Sequence, residues 1–238
     1  GSFGNSSRPA SIRRSRCKGA AMAHDRTVIW DWNGTLADDA DASLLAVNDI
    51  LAKRDMPPIT MAQYYEYIDT PISRFYEHLF DLNEVPMSVI SVEFAEGYAR
   101  HFQGLHPGAR ELLQKLKDAG MDQIILSSNH LESTEAQLRR FGIRDYFSQV
   151  LGAADRLASG KVQRGPDWLA EQTVGPEDMV LIGDTLHDYD TAKAMGVPCI
   201  LCAIGHQSKE DLLTAGVPVV GRFSQLESLL LPQNTAKK

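Results

Sequence analysis

Several carboxylates, a lysine and a few hydroxyl groups in this chain stand where they could handle a phosphoryl group. Asp31 closes the apolar run "VIW", Ser127 and Ser128 follow "IIL", and Asp184 and Asp188 lie in "VLIGDTLHD". Lys161 falls between them in sequence, in the loop-like "ASGKVQ". Carboxylates at two neighbouring strand ends, Asp31 and Asp184, make a hard oxygen site suited to magnesium, which takes one or two carboxylates plus water and phosphate oxygens. Asp188, near a helix start, could reach the metal through water or hold the site's orientation. Lys161 can offset the charge of a carboxylate and a phosphate. Gly34 and Thr35 offer an amide and a hydroxyl in a tight turn, and Ser127 with the amide of Ser128 adds further donors. Together these groups describe a phosphoryl cradle with Asp31 free to attack.

Such a cradle needs a scaffold that delivers strand ends to one edge. From Thr27 onward short apolar strands alternate with amphipathic helices: strand "TVIWDW", helix "GARELLQKLKDAG", strand "DQIILSS", helix "ESTEAQLRRFG" and strand-like "YFSQVLG". Helix "GPDWLAEQT", strand "MVLIGD", helix "DYDTAKAMG", strand "PCILCAI" and helix "KEDLLTAG" follow. This alternation implies an α/β fold, a Rossmann-like parallel sheet with helices on both faces, whose site lies at the carboxyl ends of the strands. Residues 38–104 break the rhythm. Leu44, Leu45, Val47, Asn48 and Leu51 form a helical stripe, aromatic-rich stretches suggest more helices, and no strand is evident. We therefore expect a core of residues 25–37 and 105–230 with an inserted all-helical cap domain over 38–104. The aromatic stripe Tyr64, Tyr65, Tyr67, Phe75 and Tyr76 is expected to be core before pocket.

The motifs "DWNGTL", "ILSS", Lys161 and "GDTLHD" come in an order and at spacings that resemble the haloacid dehalogenase-like hydrolase superfamily, in the subgroup with a helical cap inserted after the first motif. The chain is similar to the phosphoglycolate phosphatases over about residues 27–220. The resemblance implies that Asp31 is a nucleophile forming an aspartyl-phosphate, and that Asp184 binds magnesium with Asp31 and the backbone carbonyl of Asn33. It also implies that Asp188 supports the metal, Ser127 binds the phosphate, and Lys161 steadies nucleophile and phosphate. Ser128 stands where many relatives carry Asn, and "KVQRGP" replaces the usual Lys-Pro.

Asn33 is the main departure, because the family's phosphatases usually carry there a second Asp that protonates the leaving oxygen and activates water. An amide keeps the turn's hydrogen bonds but moves no proton. Three explanations compete. The chain is a natural variant that still hydrolyses phosphate, either from acidic leaving groups that need no proton or with acid-base help from Asp38, Asp39 or His187; or a phosphoryl-binding regulator or phosphotransferase; or a mutant made to trap a complex. We favour the magnesium-dependent phosphatase acting on a small phosphorylated metabolite. Arg74 could reach a second anionic group of that substrate, and Asn129 could line the pocket.

Net charge is −7, and residues 1–24 carry basic residues without an acid, so the body is acidic and nucleic acid is not the expected partner. Residues 1–24 are expected to be a disordered tag or leader, and 231–238 a frayed tail. No apolar run suits a membrane span. Three cysteines make no disulfide framework, so the cytoplasm is expected, with a monomer or homodimer. Cys199 and Cys202 fall on a strand, where residues three apart face opposite ways and cannot share a metal.

Overall fold

The computed structural model describes residues 26–153 and 160–231; the expectations for 1–24 and for the tail beyond residue 231 lie outside the described residues. Six parallel strands form one sheet in the order β3-β2-β1-β4-β5-β6. They are β1 (Thr27–Trp30), β2 (Asp122–His130), β3 (Gln149–Ala153), β4 (Met179–Gly183), β5 (Cys199–Cys202) and β6 (Val219–Val220). The helices between them are α5 (Ala109–Asp118), α6 (Leu131–Arg140), α7 (Lys161–Leu169), α8 (Leu186–Met195), α9 (Lys209–Leu213) and α10 (Phe223–Leu230).

Strand β1 is central and apolar on both sides. Val28 and Trp30 pack into one hydrophobic layer with Ile125 and Ile182, while Ile29 packs into the other with Ile124 and Leu181. That period of two, buried on both faces, is what a parallel sheet covered by helices demands. The same alternation sends Cys199 to one layer and Cys202 to the other, both buried and free.

Four further helices come between β1 and α5: α1 (Ala40–Ala52), α2 (Met61–Tyr67), α3 (Ser73–Glu77) and α4 (Met87–His101). They carry their own apolar cluster, which includes Val47, Ile50, Tyr64, Phe75, Tyr76 and Ile90. Most of the aromatic stripe is therefore interior. Helices α1 and α4 approach closely at Gly97, where a Cβ would lie 3.0 Å from the Ala46 backbone. None of the described helices is long and apolar enough to cross a membrane.

Two elements differ from the sequence expectation. Lys161 is not in a loop but opens α7, with Gly160 preceding the first turn, and that helix starts before "GPDWLAEQT". "YFSQVLG" is strand only from Gln149, because Arg144–Tyr146 form a 3-10 turn.

Candidate active site

Register places the site. Trp30 pairs with Ile125 on β2 and with Ile182 on β4, so Asp31 and Asp184 leave the sheet at its carboxyl edge and Ser127 lies just beyond the last β1–β2 pair, within β2. The strand order reverses between β1 and β4, the crevice where open α/β sheets bind ligands. The backbone N–H of Asp31 still donates to the Ile182 carbonyl at 2.8 Å, which fixes the carboxylate just beyond the last β1 pair.

Lys161 lies between two carboxylates. Its Nζ is 2.5 Å from Asp31 Oδ1 and 2.5 Å from Asp188 Oδ1, and all three residues are buried. Burial alone would discharge this lysine, but Asp188 and Asp31 hold its pKa above the ordinary value. Burial pushes the Asp31 carboxyl up, with Asp188 and Asp184 adding to the rise and Lys161 opposing it. The other Asp188 oxygen accepts from the amides of Asp184 and Thr185 at 3.1 and 3.0 Å and from the Thr185 hydroxyl at 2.7 Å. "TLHD" thus forms a capping box that starts α8 and aims Asp188 back at the site. Burial resists ionisation of Asp188, yet Lys161 and Thr185 keep its carboxyl below the usual range.

Asp184 is fully buried, accepting from the Thr35 hydroxyl at 2.9 Å and the His206 amide at 2.6 Å. Burial raises its carboxyl to about 6. Ligand oxygens of Asp31, Asp184 and Asp188 all lie within 4.8 Å of one another. Hard oxygen donors this close, one of them a buried carboxylate that resists its own charge, fit a divalent cation. Gly34 closes the turn beside them with φ +71°; a Cβ there would sit 2.1 Å from Asp184 Oδ2.

Some expected phosphate donors turn elsewhere. The Gly34 amide donates to Asp39 Oδ1 at 2.6 Å, and the Thr35 hydroxyl points at Asp184 and Asp31. Ser127 is buried, its Oγ accepting from the Asn129 amide at 3.1 Å, whereas Ser128 is exposed on the cavity wall. Arg74 sits on α3, exposed and 3.3 Å from Asp69, and is not among the residues lining the cavity. Asp38 is also exposed, and His187 lines the cavity with an imidazole that burial pushes down.

Both polar atoms of the Asn33 side chain are held. Its Nδ2 donates to Asp39 Oδ2 at 2.5 Å and lies 3.2 Å from the Tyr98 hydroxyl, and its Oδ1 accepts from Asn129 Nδ2 at 2.6 Å. Asp39, with no exposed surface, also accepts from the Tyr98 hydroxyl at 2.6 Å and faces His206 Nε2 at 3.2 Å. Burial works against the Asp39 charge, but hydrogen bonds from His206, Tyr98 and Asn33 hold its carboxyl below the usual range. Burial would also discharge His206, yet Asp39 lifts its imidazole to about 9. Sequence reasoning missed His206. Its signal was available, because "AIGHQ" follows the carboxyl end of β5 as the other site residues follow theirs.

A cavity of about 1050 Å³ opens over this edge, lined from the helical insertion by Tyr64 and Tyr98 and from the sheet side by Asn33, Asn129, His187 and His206.

The profile of the family described as haloacid dehalogenase-like hydrolase matches residues 28–202, and the chain belongs to that family. Within it the chain is of the phosphatase class, phosphoric monoester hydrolases, similar at modest identity to phosphoglycolate phosphatases. The phosphoglycolate phosphatase of Xylella fastidiosa (strain 9a5c) is 29% identical over 198 residues, spanning 81% of this chain and 86% of the relative. A haloacid dehalogenase-like family protein of Streptococcus pneumoniae superposes with a TM-score of 0.75 at 17% identity, covering 87% of this chain and 99% of that one. The Mycobacterium tuberculosis protein tyrosine kinase A gives a TM-score of 0.72 at 22% identity, covering 87% and 99%. A fold shared with a protein of that name leaves the reaction to be argued from the site.

Proposed function

We propose that this chain is a magnesium-dependent phosphatase that hydrolyses a small phosphorylated metabolite through an aspartyl-phosphate on Asp31; phosphoglycolate is the substrate in its curated relatives' names. The observation that carries the reading is the buried Asp31–Lys161–Asp188 bridge beside Asp184, at the carboxyl edge of the sheet. Asp31, Asp184 and the backbone carbonyl of Asn33 would hold the metal, with Asp188 supporting it. When bound, the metal supplies positive charge to the phosphoryl oxygens. Asp31 attacks phosphorus as the bond to the leaving oxygen breaks, Lys161 offsets charge at the nucleophile, and Ser127 holds the phosphoryl group. Water then attacks the aspartyl-phosphate, restoring Asp31 and freeing phosphate. Residues 38–104 act as a cap that selects the substrate and shields the reaction from water. The protein works in the cytoplasm, as a monomer or homodimer.

A second reading rests on Asn33. Its amide is fully hydrogen-bonded and exchanges no proton, which favours a chain that holds a phosphoryl ligand without fast turnover. Phosphate release from phosphorylated metabolites and an aryl phosphate, with magnesium and with Asp31→Asn as control, separates the two. Release that disappears in Asp31→Asn is expected; release that persists refutes the nucleophile, and magnesium-dependent binding without release selects the second reading.

A further inference from the structure

The wall of the cavity carries three carboxamides whose orientations are fixed from behind. The buried Trp32 indole N–H, which can only donate, meets Gln137 Oε1 at 2.5 Å. The Leu186 backbone N–H likewise donates to Gln207 Oε1 at 2.5 Å. Each glutamine is therefore turned with its Nε2 outward, and neither Nε2 has a partner among the described residues. Asp39 accepts only, so it fixes the Asn33 amide with Nδ2 toward itself; Asn33 Oδ1 in turn takes Asn129 Nδ2, leaving Asn129 Oδ1 outward. Gln137, Gln207 and Asn129 all line the cavity, which thus offers two amide donors and one amide acceptor.

Helix α4 adds an aromatic wall. The rings of Phe94 and Tyr98 stack at 5.8 Å and 27°, Phe102 follows 5.1 Å from Tyr98, and Ala95 and Ala99 leave room beside them. Among the described residues this lining is poor in cations that could meet a second anionic group. Arg140 is its one Lys or Arg among the described residues, and it is exposed with its guanidinium 5.3 Å from the Phe141 ring centroid. His206 has both ring nitrogens engaged, with Asp39 at 3.2 Å and with the Tyr64 hydroxyl at 3.0 Å. At about 1050 Å³ the space is at the top of the ~300–1,000 Å³ that drug-sized ligands occupy, far more than a small phosphorylated hydroxyacid needs.

We propose that the cavity takes the nucleoside part of a nucleoside 5′-monophosphate, a neutral sugar carrying a planar heterocycle that stacks on the α4 aromatics and hydrogen-bonds Gln137, Gln207 and Asn129. The inference rests on the preceding reading only in placing the phosphate at Asp31. Stacking suits any base, and outward-facing donors and an acceptor suit a heterocycle's mixed edge.

The test is calorimetric binding, in magnesium, of purine and pyrimidine nucleoside 5′-monophosphates, a hexose phosphate, phosphoglycolate and inorganic phosphate, with phosphate release followed in parallel. At least one nucleoside monophosphate is expected to bind tenfold or more tighter than phosphoglycolate or the hexose phosphate. Gln137→Leu and Gln207→Leu would each strand the N–H behind the side chain, so Ala99→Leu, which fills the room beside the rings, and Phe94→Ala are the working variants. Each is expected to weaken nucleotide binding about tenfold while inorganic phosphate binds as before. Equal or tighter binding of phosphoglycolate or the hexose phosphate, absence of nucleotide binding, or unchanged nucleotide affinity in both variants overturns the proposal. Preferred hydrolysis of phosphoglycolate overturns it and keeps the phosphatase reading; tight nucleotide binding with no release from any substrate keeps it and overturns the phosphatase reading.

Discussion

Restoring a carboxylate by Asn33→Asp should cost this protein stability, because the amide is matched to Asp39. Asn33 Nδ2 lies 2.5 Å from Asp39 Oδ2, and Asp39 has no exposed surface. An aspartate there faces a second carboxylate with no proton between them. With charge centres roughly 4 Å apart and an effective dielectric of ~20, repulsion is about 4 kcal/mol. Protonating one carboxyl is the alternative route. At pH 7 it costs about 4 kcal/mol, at ~1.4 kcal/mol per unit from an ordinary carboxyl pKa of ~4. Asn33 is half-buried and His206 offsets part of the charge, so the expected loss at pH 7 is about 2–4 kcal/mol. The sign with pH follows. The introduced carboxyl has a folded pKa above its unfolded value, so its penalty is full at neutral pH and shrinks as pH falls through that folded pKa. At pH 5 the protonation route costs only about 1.4 kcal/mol. Urea denaturation of parent, Asn33→Asp and the exchanged pair Asn33→Asp with Asp39→Asn, at pH 7 and pH 5, measures all of this. The exchanged pair should recover most of the loss. A single variant as stable as the parent at pH 7, or a deficit that widens at pH 5, would refute the argument.

Lys161→Met leaves Asp31 and Asp188 buried beside each other without their cation, and equilibrium unfolding should register a loss of about 3–5 kcal/mol. The Asp184 carboxyl titrates near 6, so magnesium affinity measured by calorimetry should weaken as pH falls through 6 and level off above 7; a flat profile from pH 5 to 8 would remove Asp184 from the metal site. Asn33 gives the departing oxygen no proton, so turnover should depend steeply on leaving-group acidity. An aryl phosphate should outrun an alkyl phosphate of similar bulk by ~100-fold or more, and equal rates would mean another residue supplies the proton.

The sheet was legible because both its faces are buried, which leaves unbroken apolar runs such as "VIW", "IIL" and "VLI" ending in polar residues. Strand ends then fall on one edge by topology alone, and this is why Asp31, Ser127 and Asp184 could be grouped from spacing. Strand β6 has two residues and no period to detect, and it went unread with α10 behind it. Lys161 was misassigned to a loop because Gly160 and Gly165 weaken the helical pattern around it. The clamp on Asn33 was out of reach for another reason. Tyr98 and His206 meet Asp39 across 59 and 167 residues of chain, and Gln137 meets Trp32 across 105, so no local pattern joins them. Arg74 shows the opposite limit: its charge was visible, but not that it turns to Asp69.

The pairing of β1 also bears on how the chain is made. Its hydrogen-bonded neighbours begin at Asp122 and Met179, so the strand that leads to Asp31 leaves the ribosome before both and waits for the whole helical insertion before β2 exists, and longer still for β4. Local contacts form before distant ones, and helices α1 to α4 bring their own apolar cluster in that interval. During synthesis, then, a strand that ends up buried on both faces is an unsatisfied edge, tethered to a neighbouring segment that can already collapse. Its exposure to chaperones and to aggregation is set by the elongation rate between Trp30 and Gly183, not by the stability of the finished sheet.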